Sequence, residues 1–210
     1  MNLVKICGLK DEESVKAAVE GGAHFVGFVF YKDSPRHIDI AQAAKLAQGI
    51  PDIVEIVGLF VDPSDDEIQT VLTQVPLTMI QLHGLESPAR VMEVKTKFNM
   101  PVMKALPIAD ESDLEYVASY SKVADWLLFD TKMADGTSGG AGVAFDWSIL
   151  SKVRTTLPWF LAGGLTPDNV QGAITMVNPP ALDVSSGVES ARGTKDPARI
   201  HAFLKAVSFY

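Results

Sequence analysis

The chain has 210 residues, of which 47% are apolar and 21% charged, with 16 glycines and 12 prolines. This composition is typical of a globular protein and excludes a disordered chain. The formal net charge of −8 argues against nucleic acid as a partner. No apolar run approaches the roughly 20 residues that cross a bilayer, so we also expect no membrane partner.

The single cysteine, Cys7, excludes an internal disulfide. The first residues, MNLVKICG, lack the basic segment and apolar stretch of a secretory signal. We therefore expect a cytoplasmic protein. No pair of histidine, cysteine or carboxylate side chains has a metal-ligand spacing, so the sequence predicts no metal site.

Eight short apolar runs recur along the chain, at intervals from 22 residues (Leu3 to Phe25) to 33 residues (Trp126 to Trp159). Continuous apolar runs of this length are typical of strands buried on both faces in a parallel sheet. The predicted strands are Leu3–Ile6, Phe25–Phe30, Val54–Val61, Met79–Leu82, Val102–Leu106, Trp126–Phe129, Trp159–Ala162 and Ala181–Val184.

Amphipathic helical segments with recognisable starts separate these runs. Ser64 and Glu67 form a capping box, and Gly21-Gly22 supplies the left-handed residue that ends the first helix. Three further helices are predicted to begin with a capping oxygen before a proline, at Ser87-Pro88, Thr166-Pro167 and Asp196-Pro197.

This alternation predicts an α/β fold in which helices cover a parallel sheet. Eight even units favour closure into one (β/α)8 barrel, the TIM barrel, with a parallel eight-stranded core. An open doubly wound sheet is the alternative. Because no linker or composition break interrupts the chain, we expect a single domain over residues 1–210.

In such a barrel the active site lies at the C-terminal ends of the strands. Alternation along each strand shows which side chains can point inward, and four such series end in a polar or ionisable group. The series are Leu3, Lys5 and Cys7; Met79, Gln81 and His83; Trp126, Leu128 and Asp130; and Ala181, Asp183 and Ser185.

Two glycine-rich loops follow the seventh and eighth predicted strands. They contain Gly163-Gly164 and Ser185-Ser186-Gly187. Glycines leave backbone N–H groups open to an anion, and this fold usually binds phosphate in these two loops. The sequence therefore predicts a phosphate site there.

Seven short motifs in order carry a family resemblance: Lys5-Ile6-Cys7-Gly8, Ser34-Pro35-Arg36, Gln81-Leu82-His83-Gly84, Phe129-Asp130-Thr131, Gly139-Gly140 with Gly142, Leu161-Ala162-Gly163-Gly164-Leu165 and Asp183-Val184-Ser185-Ser186-Gly187-Val188-Glu189. Together they resemble the phosphoribosylanthranilate isomerases of tryptophan biosynthesis. The resemblance implies an Amadori rearrangement of N-(5′-phosphoribosyl)anthranilate, a small sugar phosphate, without a cofactor.

The resemblance also implies roles for individual residues. Cys7 is expected to be the general base and Asp130 the general acid, while Arg36 anchors the anthranilate carboxylate. Asp183 is expected to bind sugar hydroxyls. The predicted phosphate cradle comprises Gly163, Gly164, Ser185, Ser186 and Gly187. Gln81 and His83 are further expected substrate-binding residues, with filling of the upper barrel layer as the alternative.

These roles make demands on the site. A nearby cation lowers the pKa of a thiol, and Lys5 is one possible source for Cys7. Asp130 must hold a proton near neutrality, which needs desolvation or an anionic neighbour. Lys5 and Asp183 could equally form only a structural ion pair. The glycine-rich segment from Thr131 to Phe145 is expected to move over the substrate.

Three alternative functions are disfavoured by the residues present. A histidine-pathway aminoaldose isomerase is similar in fold but uses two aspartates, one at the position of Cys7. A triose-phosphate-type isomerase would need a glutamate base and a histidine electrophile on adjacent strands. A catalytically silent sugar-phosphate-binding barrel would not need Cys7 or Asp130. The sequence allows either a monomer or a homodimer.

Overall fold

The computed structural model describes residues 2–131 and 145–208, and the expected mobile segment with Gly136, Gly139, Gly140 and Gly142 falls outside them. Eight parallel strands close into a barrel in chain order. They are β1 (Leu3–Cys7), β2 (Phe25–Val29), β3 (Glu55–Phe60), β4 (Met79–Leu82), β5 (Val102–Ile108), β6 (Trp126–Thr131), β7 (Trp159–Leu161) and β8 (Ala181–Val184).

Closure is visible at β1, which pairs on both sides. Lys5 lies opposite Phe25 of β2 and opposite Asp183 of β8. The predicted (β/α)8 barrel is therefore confirmed, and the open sheet is excluded. Each observed strand lies within one or two residues of its predicted bounds, as expected for ends that fray.

Helices cover the outside of the barrel. They are α1 (Glu12–Glu20), α2 (Ile40–Ala47), α3 (Asp65–Leu72), α4 (Pro88–Phe98), α5 (Val117–Tyr120), α6 (Val170–Val177) and α7 (Pro197–Ser208), with 3₁₀ helices at Glu111–Tyr116, Trp147–Lys152 and Ser186–Val188. None of the helices in the described part of the chain is long and apolar enough to cross a membrane.

The predicted helix starts are mostly confirmed. The capping box of Ser64 and Glu67 is formed, and the side chain of Ser87 caps α4. The start predicted at Thr166 is wrong, since α6 begins at Val170. There the side chain of Asn169 accepts a hydrogen bond from the Thr166 N–H at 2.7 Å and closes a non-helical turn ahead of the helix.

Two apolar layers confirm which side chains point inward. The layer inside the barrel includes Met79, Leu128 and Ala181 from the predicted inward series. The layer between barrel and helices takes the alternate residues of β1, Val4 and Ile6. Alternation along the strands therefore directs the polar ends of the inward series into the barrel mouth.

A small antiparallel hairpin follows β8 and was not predicted. Its strands are β9 (Glu189–Ala191) and β10 (Thr194–Lys195). The hairpin is too short and too polar to carry an apolar alternation signal. It lies before α7, on the side of the barrel where the predicted site residues gather.

Candidate functional site

The polar ends of the inward series form two groups at the C-terminal mouth of the barrel. The first comprises Lys5 and Cys7 of β1, Asp183 of β8 and Ser185 just after it. The second comprises Gln81 of β4, His83 just after it and Asp130 of β6. Because β5 stands opposite β1 in a ring of eight strands, the two groups face each other across the barrel.

Cys7 is a buried free thiol. A side chain at Gly27 would place its Cβ 3.1 Å from the Cys7 sulfur and 3.2 Å from the Lys5 Nζ, so this glycine leaves room for the two groups to meet. Burial raises the pKa of the Cys7 thiol, and the Lys5 and Lys195 ammonium groups only partly offset that rise. Lys5 therefore acts in the expected direction, but the expected net lowering is not found.

Lys5 and Asp183 form a buried ion pair. The Lys5 Nζ lies 2.8 Å from the Asp183 Oδ1, and the Lys5 side chain is fully buried. Burial alone would lower the pKa of Lys5, but Asp183 and Cys7 outweigh it and hold the pKa above its ordinary value. The structural ion pair is present, and it lies beside the thiol.

Asp130 has a histidine neighbour that is itself held in place. The Asp130 Oδ1 accepts a hydrogen bond from the Thr131 N–H at 2.7 Å, and its Oδ2 lies 3.4 Å from the His83 Nε2. The other ring nitrogen of His83 is 2.8 Å from the Gln81 amide nitrogen. His83 therefore contacts the expected acid, and Gln81 contacts His83 rather than Asp130.

Arg36 reaches the first group from the loop after β2. Its Cδ lies 2.9 Å from where a Cβ on Gly8 would stand, which places the side chain beside the end of β1. Its guanidinium forms two hydrogen bonds to Glu189, from Nε at 2.7 Å and Nη2 at 3.0 Å. Sequence reasoning missed Glu189, because nothing marks a glutamate in a loop as the partner of an arginine 153 residues away.

The two glycine-rich loops border one cavity of about 480 Å³. Gly164, Ser186 and Gly187 of the predicted cradle line it, together with Arg199 of α7, which the sequence did not reveal. The other two cradle candidates, Gly163 and Ser185, are not in its lining. Instead the Ser185 hydroxyl donates to the Cys7 carbonyl at 3.1 Å.

Gly187 explains why glycine is needed in this cradle. A Cβ there would lie 1.8 Å from the Leu165 carbonyl oxygen of the facing loop. Gly163 and Gly164 have φ angles of +82° and +71°, a left-handed conformation that favours glycine. The two loops can therefore pack together and turn their backbone toward an anion.

Within residues 2–131 and 145–208, no group of three or more His, Cys, Asp or Glu side chains is arranged to hold a metal ion. The mouth holds the Cys7 thiol, the carboxyls of Asp130 and Asp183, three buried cations (Lys5, Arg36 and Lys195) and an anion cradle. These groups on a closed (β/α)8 barrel define an enzyme of the sugar-phosphate isomerase class.

The comparisons with known proteins identify the family. The family described as "N-(5'phosphoribosyl)anthranilate (PRA) isomerase" matches residues 4–206. The N-(5′-phosphoribosyl)anthranilate isomerase of Rhodospirillum rubrum is 51% identical over 211 residues, covering 98% of this chain and 97% of that protein. That of Paracoccus denitrificans is 52% identical over 203 residues, covering 96% and 94%. The chain belongs to this family.

Solved structures agree with that assignment. The phosphoribosyl anthranilate isomerase of Thermotoga maritima superposes with a TM-score of 0.87 at 37% identity, covering all of both chains. The Thermus thermophilus enzyme superposes with the same TM-score at 31% identity, covering 99% of this chain and 98% of that one. The resemblance drawn from the seven motifs is confirmed: the chain is an isomerase of tryptophan biosynthesis that acts on N-(5′-phosphoribosyl)anthranilate.

Proposed function

We propose that this isomerase converts N-(5′-phosphoribosyl)anthranilate to 1-(2-carboxyphenylamino)-1-deoxyribulose 5-phosphate by general acid–base catalysis, with Cys7 as base and Asp130 as acid. The observation that carries the proposal is the placement of a thiol on β1 and a carboxyl on β6 around one mouth that also opens onto an anion cradle. A related phosphoribosyl anthranilate isomerase has been solved with the reduced form of this product bound.

The first step opens the sugar ring. Asp130 gives its proton to the furanose oxygen as the bond from that oxygen to C1′ breaks, and the anilinic nitrogen supplies the electron pair that forms a Schiff base. His83 lies 3.4 Å from the carboxylate that remains. A donor at that distance in an empty site can shorten its contact when substrate binds.

The second step moves the double bond. The Cys7 thiolate takes the proton from C2′, and the electrons of that C–H bond form the C1′–C2′ double bond while the iminium nitrogen regains its electron pair. The resulting enol gains a proton at C1′ and loses its O2′ proton, both exchanged with water, and so becomes the ketone of the product. Each turnover leaves the thiol protonated and the carboxyl ionised, so Asp130 must regain a proton from solvent before the next substrate, and Cys7 must lose its proton when that substrate binds.

Formation of the thiolate depends on the Lys5 ammonium. In the free site Asp183 holds Lys5 at 2.8 Å, and burial keeps the pKa of the thiol high. A sugar hydroxyl that bonds to Asp183 weakens its hold on Lys5 and leaves more of the cation's field on the sulfur. Substrate binding and activation of the base are then coupled through one carboxylate.

The two anionic ends of the substrate have separate sites. We assign the anthranilate carboxylate to Arg36, since a planar guanidinium suits a carboxylate. The phosphate is assigned to the cradle of Gly164, Ser186 and Gly187, with the Arg199 side chain at its border. Gly163 and Ser185 are assigned supporting roles: Gly163 turns the chain into the cradle, and Ser185 bonds to the backbone of Cys7.

Domain organisation, location, partners and oligomeric state are proposed from composition and from related proteins. We propose one domain over residues 1–210, a cytoplasmic location and no nucleic-acid partner, in keeping with the net charge of −8. The Thermotoga maritima isomerase is described as dimeric. We therefore favour a homodimer over a monomer, which sedimentation of the purified chain would test.

The catalytic roles are tested by following the loss of anthranilate fluorescence as phosphoribosylanthranilate, generated in situ, is consumed. We expect Cys7→Ser and Asp130→Asn each to lower kcat by about 10² to 10⁴, the usual contribution of a positioned acid or base, with little change in KM. The matched control is Asp52→Asn at an exposed position, which should leave kcat unchanged. A kcat near that of the parent enzyme in either site variant would remove that residue from its role.

The anchoring role is tested in the same assay. Arg36→Ala should chiefly raise KM, and Arg192→Ala, at an exposed arginine, is its control. An unchanged KM for Arg36→Ala would mean that the carboxylate binds elsewhere.

A further inference from the structure

The hairpin of β9 and β10 has one buried and one exposed side. Glu189 and Lys195 are buried, while Ser190, Arg192 and Thr194 are exposed. Two ionisable residues therefore point into the protein from an element that contributes no apolar side chain to either layer of the barrel. Buried charges of this kind are costly unless other groups satisfy them.

Glu189 is fully satisfied, by donors from three places in the chain. Its Oε1 accepts from the Arg36 Nε at 2.7 Å and from the Lys195 Nζ at 2.8 Å. Its Oε2 accepts from the Arg36 Nη2 and from the Gly193 N–H, both at 3.0 Å. The carboxylate thus holds the guanidinium by two parallel bonds, the geometry that best fixes the plane of an arginine.

The hairpin turn is fitted to the loop that carries Arg36. Gly193 has a φ of +80°, and a Cβ there would lie 2.5 Å from the Pro35 carbonyl oxygen. The same carbonyl accepts a hydrogen bond from the Lys10 Nζ at 3.0 Å. The backbone of Pro35, directly before Arg36, is therefore packed against the hairpin, so the guanidinium and its loop are positioned together.

The charges around Glu189 support a permanent carboxylate. Burial alone would raise its pKa, but the hydrogen bonds and charges of Arg36 and Lys195 outweigh burial and keep the pKa below the ordinary value. With one negative and two positive groups, the cluster keeps a single net positive charge. That charge matches one carboxylate of a ligand.

Glu189 also leaves part of the guanidinium available. The two bonds use the Nε and Nη2 edge, and the Arg36 Nη1 has no hydrogen-bond partner within residues 2–131 and 145–208. A guanidinium has five N–H donors, so a carboxylate can still bind along its Nη1 and Nη2 edge. The orientation of that free edge is set by Glu189.

We propose that Glu189 is a positioning residue that aims the free edge of Arg36 at the anthranilate carboxylate and thereby gives the enzyme its preference for carboxylate-bearing substrates. The inference rests on the proposed anchoring role of Arg36. Lys195 shares the Oε1 of Glu189 and contacts the Ser185 carbonyl at 2.9 Å, which ties the same cluster to the segment after β8.

The test compares two ligands by calorimetric titration. The first is the reduced product, which carries the carboxylate, and the second is the matching phenylamino deoxyribitol phosphate without it. The dissociation constant of the second ligand divided by that of the first gives the contribution of the carboxylate to binding. A loss of general packing would weaken both ligands and leave the ratio unchanged.

We expect Glu189→Gln to reduce this ratio by about tenfold or more, corresponding to at least 1.4 kcal/mol, with the second ligand little affected. A glutamine of the same size presents an N–H to donors where the carboxylate accepted. Glu189→Asp keeps the charge but is too short for both arginine bonds, so its ratio should lie between that of the parent enzyme and that of Glu189→Gln. Arg192→Ala on the exposed side of the hairpin should leave the ratio unchanged.

Each outcome has one meaning. If the ratio stays constant or rises in Glu189→Gln but falls to about one in Arg36→Ala, the positioning role alone is overturned. A ratio unaffected by Arg36→Ala overturns the anchoring role on which the inference rests. If Glu189→Gln does not fold, Glu189→Asp decides, and an unchanged ratio in that variant also overturns the proposal.

Discussion

Replacing Lys5 by methionine separates the structural role of the Lys5–Asp183 pair from its catalytic one. The Lys5 side chain is 0% and the Asp183 side chain 8% exposed, so water cannot replace the lost partner. Among the described residues, Lys5 is the only cation paired with Asp183. The substitution therefore leaves a buried carboxylate without a counter-charge.

The expected loss of unfolding free energy in Lys5→Met is large compared with the total stability of a domain. Breaking a buried ion pair by removing one partner costs about 3–5 kcal/mol, against a total of about 5–15 kcal/mol for a typical domain. For a chain of this length that loss lowers the Tm by roughly 6–20 °C, at about 2–4 °C per kcal/mol. Lys16→Met, which breaks an exposed contact to Glu20, is the control and should barely change the Tm.

The double variant Lys5→Met/Asp183→Leu completes the argument. Replacing both members of a buried pair by apolar residues is often neutral, so most of the lost stability should return. Activity should not return, because the thiol pKa rises further without the Lys5 charge. Thermal unfolding followed by circular dichroism, and the fluorescence assay, measure the two effects. A stable double variant with normal kcat would show that the pair is only structural, and an unchanged Tm in Lys5→Met would refute the reasoning from burial.

Three further predictions follow from the same contacts. Gly187→Ala should raise the dissociation constant for inorganic phosphate by at least about tenfold, or 1.4 kcal/mol, since its Cβ would collide with the facing loop, whereas Gly172→Ala, with open space around it, should not. His83→Asn should lower kcat more than KM because it removes the neighbour of Asp130, and equal changes in both would contradict that role. Folding lowers the pKa of Glu189 from 4.5, so its contribution to the free energy of unfolding is complete above pH 4.5 and is lost as the pH falls through the lower pKa of the folded state. In acid titrations, the difference in unfolding free energy between the parent and Glu189→Gln should therefore shrink below pH 4.5. A constant difference would refute the assignment.

The barrel could be predicted because it depends on local patterns that repeat. Apolar runs gave all eight strands, and alternation placed Lys5 and Cys7 on one face of β1, as the two apolar layers confirm. Capping residues predicted the helix N-terminus wherever a single side chain determines it. At Thr166 this failed, because Asn169 further along offers a competing turn.

The partners of the site residues could not be predicted in the same way. Glu189 lies 153 residues from Arg36, and His83 lies in a different βα unit from Asp130. Spacing along the chain carries no information about such pairs until closure of the barrel brings the strand ends together. Glu189 is the last residue of one of the seven motifs, but the sequence alone assigned it no role.

The pKa of Cys7 shows why even a correct list of neighbours can give the wrong sign. Lys5 was expected to lower it, and it does, but the thiol is buried, and the cost of ionising it there exceeds what Lys195 and the Asp183-paired Lys5 provide together. A sequence can indicate which charges are near and on which face, but the balance between burial and charge depends on three-dimensional packing. That balance also suits the proposed mechanism, in which the thiol stays protonated in the empty site and ionises when a ligand bonds to Asp183, so that it would be protected from reagents in solution until the substrate is bound.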